Sequence, residues 1–163
     1  MINSDSYPMR TSINIKSFIN KYRSVLPTDV FMKLCDAELD GVKFATINPS
    51  AIIELDEKLK ERKAVDKALA QCVKRNNKGK ELEKEGRIKQ AIKNYERNIG
   101  EDCYPATFSF EQLMVIYRKQ KDYENEIRVI NRAIEVLCPR YPDLIEKYQK
   151  RLSKAETLLT KKK

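Results

Sequence analysis

The chain contains no histidine and no tryptophan, and only four glycines and six prolines in 163 residues. Nowhere do about 18 apolar residues run together. Without histidine there is no Cys–His or Ser–His–Asp arrangement and no histidine-ligated metal, and the commonest general base is missing. Gly41, Gly79, Gly86 and Gly100 are too scattered to form a phosphate-cradling loop. So few turn-formers argue against a strand-rich sandwich. The missing apolar run argues against a membrane-spanning helix, and the opening "MINSDSYPMR" lacks the apolar stretch of an export signal, so a cytoplasmic location is expected. Cys35, Cys72, Cys103 and Cys138 lie more than thirty residues apart, without the close spacing of a zinc or redox motif. They read as reduced, packed thiols. No catalytic residue, metal or cofactor is expected. Carboxylate pairs such as Glu81 with Glu85, or Asp122 with Glu124, read as solvated helix surface.

What is present is a mixture of 41% hydrophobic and 35% charged residues with a net charge of +9. That composition fits a globular, highly charged, all-helical domain. The excess positive charge is uneven: +1 over residues 1–49, +5 over 50–100 and +3 over 101–163, the last matching the terminal "KKK". The most basic stretch is "KRNNKGK" from Lys74 to Lys80, with four cations and no anion.

Residues 1–10 read as loosely attached. From Ser12, the set Ile15, Phe18, Ile19 and Tyr22 follows helical spacing and predicts a first helix to about Val25. Pro27 interrupts it, Thr28 or Asp29 can cap a second helix carrying Val30, Phe31, Leu34 and Cys35, and Gly41 stops that helix. "VKFATINPS" alternates at Val42 and Phe44, but with no recognisable partner strand it reads as a loop or short extended link. Ser50 is a candidate N-cap for a long helix through Ile52, Leu55, Leu59, Leu69, Cys72 and Val73, which Asn76, Asn77 and Gly79 either bend or end.

Shifting the chain against itself by 35 residues aligns "GKELEKEGRIKQAIKNYERNI" from Gly79 with "MVIYRKQKDYENEIRVINRAI" from Met114. Leu82 meets Tyr117, Ile88 meets Tyr123, Ile92 meets Ile127, Tyr95 meets Ile130 and Cys103 meets Cys138. Each unit reads as helix, tight turn, helix, with Gly86 supplying the turn's permissive dihedrals. Ser109 with Gln112 forms a candidate capping box at the start of the second unit. Tyr95, Tyr117, Tyr123 and Tyr148 recur at core spacing.

These residues resemble the tetratricopeptide (TPR) repeats. Gly79 and Ala91 stand at the small positions, Gly86 at the turn and Tyr95 at the aromatic position. In the second unit Phe110 replaces the opening tryptophan, followed by Leu113, Tyr117 and the late small residue Ala133. The second unit departs at Met114, Lys121 and Glu126, and the first at Asn98. At Glu126 the register puts a carboxylate where a small residue normally packs. Either Arg118 pairs with it in the interior, or the helices splay and it reaches water.

The resemblance implies an all-α fold: helical hairpins stacked as a short right-handed α-solenoid over 50–163. Its repeats would span about 72–106 and 107–140, with a capping helix over about 142–160 starting at Pro142. An N-terminal helical segment, 1–49, would pack on the rest.

The resemblance also implies a non-catalytic interaction module whose first helices line a groove. On this register Asn76, Asn77, Lys80 and Lys84 face the groove, as do Glu111, Gln112, Val115, Arg118 and Lys119. Lysines with asparagines suit an acidic peptide or protein partner, and the family's carboxylate-clamp type uses a similar mixture. The alternative is sequence-independent nucleic-acid binding through Lys74, Arg75 and Lys78 together with Lys80 and Lys84, although Glu81, Glu83 and Glu85 interrupt such a phosphate track. No membrane partner is expected, and the chain is expected to be a monomer or a weak homodimer.

Overall fold

Asn14 decides how the described chain begins: its Oδ1 accepts the Ser17 N–H at 3.0 Å and caps a helix, so the residues before it are left extended. In the computed structural model, which describes residues 10–100 and 104–162, those residues form strand β1 (Thr11–Asn14). There follow α1 (Ile15–Tyr22), α2 (Thr28–Leu39), β2 (Phe44–Ile47) and α3 (Pro49–Lys84), then α4 (Ile88–Asn98), α5 (Thr107–Lys119), α6 (Tyr123–Leu137) and α7 (Leu144–Lys162). The described residues are thus mostly helical, with one small sheet. The expectations for residues 1–9 and for Cys103 lie outside the described residues.

The chain divides into two compact units, Met1–Asp66 and Lys67–Lys163. In the first, β1 and β2 pair antiparallel with Thr11 opposite Ile47 and Asn14 opposite Phe44. This corrects two expectations: the first helix starts at Ile15 rather than Ser12, and "FATI" is a strand whose partner is "TSIN". Both strands are four residues long, so each puts only two side chains on a face, too few to give a recognisable alternation. α1 buries Ile15, Phe18, Ile19 and Tyr22. Phe18, Tyr22 and Leu55 form a small core ringed by Ile13, Val25, Leu26, Leu34, Ile47, Ile52 and Leu59. Pro27, not Thr28 or Asp29, occupies the cap position of α2. At α3 the cap is Asn48, whose Oδ1 accepts from the Ser50 N–H at 3.0 Å and hydroxyl at 2.9 Å, so Ser50 is a donor there and not the cap.

In the second unit α3 continues past Asn76, Asn77 and Gly79 without a break and ends at Lys84. Two turns then repeat bond for bond. Arg87 N–H reaches Leu82 C=O at 2.8 Å and Asp122 N–H reaches Tyr117 C=O at 2.9 Å, while Gly86 bonds Glu83 and Lys121 bonds Arg118. Gly86 has φ +73° and Lys121 has φ +56°. A lysine in the left-handed region is strained by its Cβ. Lys121→Gly is therefore expected to stabilise the chain by about 1 kcal/mol and Gly86→Ala to destabilise it by a similar amount, read from urea melts. Opposite signs at equivalent positions would be hard to obtain from any other cause.

Leu82, Ala91, Tyr95, Ile99, Phe110, Leu113, Met114, Val129, Ile130, Ala133, Leu137, Tyr148 and Ala155 form one continuous core. Met114 fills its small position rather than opening it. Ser109 does not cap α5, which starts two residues earlier with no side-chain cap. Its hydroxyl is buried inside the helix and bonds elsewhere.

Candidate functional site

The side of α5 turned away from its buried residues is a stripe of half-buried Phe108, Glu111 and Gln112 and exposed Val115 and Lys119, spaced for one helix face. Neighbouring helices flank it on both sides. From α3, the Lys80 ammonium lies 4.4 Å from the centre of the Phe108 ring. From α7, Lys147 bonds Glu111 at 2.5 Å, which neutralises the one carboxylate on the stripe. Lys80, Lys84 and Lys119 are exposed and make no ion pair among the described residues.

The flanking helices are tied by carboxylates. Glu126 on α6 is wholly buried, with Arg118 Nε of α5 at 2.5 Å from one oxygen and Arg151 Nε of α7 at 2.9 Å from the other. The Arg118–Glu126 pair foreseen in the sequence is present, and the alternative of splayed helices is excluded. Arg151, which the sequence did not single out, completes a three-helix tie. Glu83 of α3 accepts from the Tyr95 hydroxyl at 2.6 Å, and Glu96 of α4 accepts from the Tyr117 hydroxyl at 2.7 Å and also pairs with Arg128. A polar cluster adds to these ties. Asn98 Nδ2 donates to Asn76 Oδ1 at 2.9 Å and Ser109 Oγ at 3.0 Å, and Ser109 donates to Asn76 at 2.6 Å. Asn98 is thereby buried without leaving its amide unmatched.

This geometry sorts the sequence-predicted site residues. Lys80, Gln112 and Lys119 fall on or beside the α5 stripe, and Lys84 lies one turn beyond Lys80 on the same side of α3. Asn76 is a correction: its amide is engaged by Asn98, Ser109 and Cys72 rather than offered to a ligand. Arg118 is likewise committed to Glu126. Asn77 lies beside Lys80 and Lys84 on α3, three and seven residues before them, and also lines a shallow depression with Ala70, Val73, Lys74, Lys78 and Glu81. Of the nucleic-acid candidates, Lys74 and Lys78 line the same depression, with Lys78 paired to Glu81 at 3.2 Å. Arg75 points instead toward the Arg97 carbonyl and Asn98. Phe108, Lys147 and Arg151 were missed because their role depends on which helices become neighbours.

Burial, reinforced by Glu83 for Tyr95 and by Glu96 for Tyr117, pushes both phenols well above the usual tyrosine range. Burial together with Glu111 pushes Tyr148 up to about 12. A raised folded pKa means that the unfolded chain ionises first, near 10. Stability from these groups is therefore complete below about pH 10 and is lost as pH rises toward 12. A melting series from pH 8 to pH 12 is expected to stay flat and then fall, with part of the tyrosinate absorbance appearing only as the chain unfolds. A full tyrosinate signal from the folded chain near pH 10 would contradict this burial.

Among the described residues no helix is long and apolar enough to cross a membrane. Comparison with protein-family models, curated proteins and solved structures gives no match to the chain.

Proposed function

We propose that residues 67–162 are a TPR-like right-handed stack of helical hairpins, capped by α7, that serves as a non-catalytic protein-interaction module. The occupant is an acidic peptide or acidic segment of a partner protein, lying along the α5 stripe. The observation that carries this reading is the arrangement of cations. Lys80, Lys84 and Lys119 stand exposed and without an ion pair among the described residues, Lys80 against Phe108 of the stripe, Lys84 one turn further along α3 and Lys119 on the stripe beside Val115, while the carboxylate of the stripe, Glu111, is held by Lys147. Exposed ammonium groups beside a half-apolar strip favour carboxylates on an extended or helical segment, by steering and by charge-assisted hydrogen bonds. The ties at Glu126, Glu96 and Glu83 support the reading from beneath, because a surface held rigid loses less entropy when it binds.

The nucleic-acid alternative is less favoured by the same placement. Lys78 is turned away from Lys80 and Lys84 and paired with Glu81, Glu81 itself stands between Lys84 and Lys74 on the exposed side of α3, and Arg75 is turned toward α4, so the basic stretch does not form one unbroken phosphate track.

The test is a pull-down from native cell extract with the wild type beside Lys80→Glu/Lys84→Glu/Lys119→Glu, before and after nuclease. All three positions are exposed, so the folded state should survive, as circular dichroism would check. A discrete protein captured by the wild type, lost from the variant and indifferent to nuclease is the expected result. Capture that nuclease abolishes, or that charge reversal leaves intact, would sink the reading.

A further inference from the structure

The small sheet of the first unit has an open edge of unusual character. Ile15 N–H donates to Lys43 C=O at 3.1 Å, so residues 15 and 43 face each other as a hydrogen-bonded pair. Alternation along an antiparallel ladder gives the same role to Ile13 with Ala45 and to Thr11 with Ile47. Phe44 and Thr46 must then turn their N–H and C=O groups away from β1, and neither N–H has a partner among the described residues. Their side chains share the outward face: Phe44 is 61% exposed, and Val42, two residues earlier, is 46% exposed. "FATI" is short, but it carries no charge and no proline, two of the features that keep an edge strand from pairing.

We infer that the β2 edge is a self-association surface, on which a second copy of this chain pairs its own β2 antiparallel about a two-fold axis through Ala45. In that register Phe44 of each copy faces Thr46 of the other. The two outward N–H and two outward C=O groups of each copy are then all satisfied, giving four hydrogen bonds across the axis. Neighbouring registers are disfavoured, because a shift one way calls on the Val42 N–H, already bonded to Ala37 at 2.9 Å, and a shift the other way calls on the Asn48 C=O, already bonded to Ala51 at 3.0 Å. The two Phe44 rings become diagonal neighbours about 7–8 Å apart, within aromatic reach. Lys43 falls opposite Ile47 of the other copy, so no like charges meet. The free edge of β1 is a poorer match: its outward residues are Ser12 and Asn14, and the Asn14 side chain is engaged in capping α1.

Sedimentation equilibrium of the full chain over a wide concentration range tests the inference. The wild type is expected to show a reversible monomer–dimer equilibrium. Thr46→Pro removes two of the four intermolecular donors without touching the β1 ladder, and is expected to weaken the dimer at least about tenfold. Phe44→Lys, which sets two cations diagonal to one another, should do the same and stands as the test should the proline variant unfold. Ser12→Pro, the corresponding change on the β1 edge, should leave the dimer intact. A wild type that is monomeric up to its solubility limit would overturn the inference. So would a dimer unaffected by both β2 changes, or one weakened by Ser12→Pro instead.

Discussion

Glu126→Ala is expected to lower the stability of the second unit by about 3–5 kcal/mol, because it leaves two arginines facing a space from which their counter-charge has gone. The carboxylate is wholly buried and holds Arg118 at 2.5 Å and Arg151 at 2.9 Å, so α5, α6 and α7 all lose a tie at once. For a chain of this size that is a large share of total stability. Glu126→Gln keeps the shape but not the charge and should fall between wild type and alanine. Replacing the whole cluster, Glu126→Leu with Arg118→Met and Arg151→Met, should recover most of the loss, since an apolar cluster needs no compensating charge. Thermal melts of the three variants give the ordering. An unchanged melting temperature for Glu126→Ala would mean that the buried cluster is not formed.

Gly79→Ala should also be damaging, against the usual trend for this substitution. At an ordinary mid-helix position this substitution gains about 1 kcal/mol, but here a Cβ would lie 2.4 Å from the Tyr95 ring. The ring cannot simply move aside. Tyr95 is fully buried, its hydroxyl is bonded to Glu83 at 2.6 Å, and its ring packs T-shaped against Phe108 with ring centres 5.9 Å apart. A net loss of about 2 kcal/mol is expected, in the range of other overpacked cores. Tyr95→Leu in the Gly79→Ala background should cost less than the two changes summed, because the smaller side chain relieves the clash. Additive losses would show that the contact between α3 and α4 is not the cause.

The features that could be read from the sequence are those where one residue meets a local demand. Gly79 and Ala91 are small because helices approach there, and Gly86 is a glycine because its φ is positive. The spacing of 35 residues carried the same turn to Lys121, a residue without turn propensity. Glu126 stood out because a carboxylate at a packed position has to find a partner. What was not legible depends on distant neighbours. Nothing near Ser109 or Asn76 indicates that their partners lie on other helices, although Asn98, standing where the TPR resemblance expects alanine, was the available clue. The β1–β2 pair joins segments separated by two helices, and four-residue strands give almost no periodicity. The boundary at Asp66 lies within a continuous helix and carries no proline, glycine or polar-linker signal. At the candidate site the cations Lys80, Lys84 and Lys119 were read from their face on the helix, whereas Lys147 and Phe108 emerge only once α3, α5 and α7 are placed side by side.

The α5 stripe is proposed to receive an acidic segment. The most direct measurement is amide chemical-shift mapping of the labelled chain titrated with a glutamate-rich peptide pool, alongside a mixed-sequence single-stranded oligonucleotide. Saturable shifts from the peptides are expected, centred on Lys80, Gln112, Val115 and Lys119, with Lys74 and Lys78 little changed. Shifts centred on Lys74 and Lys78, or tighter binding of the oligonucleotide with strong salt dependence, would contradict it.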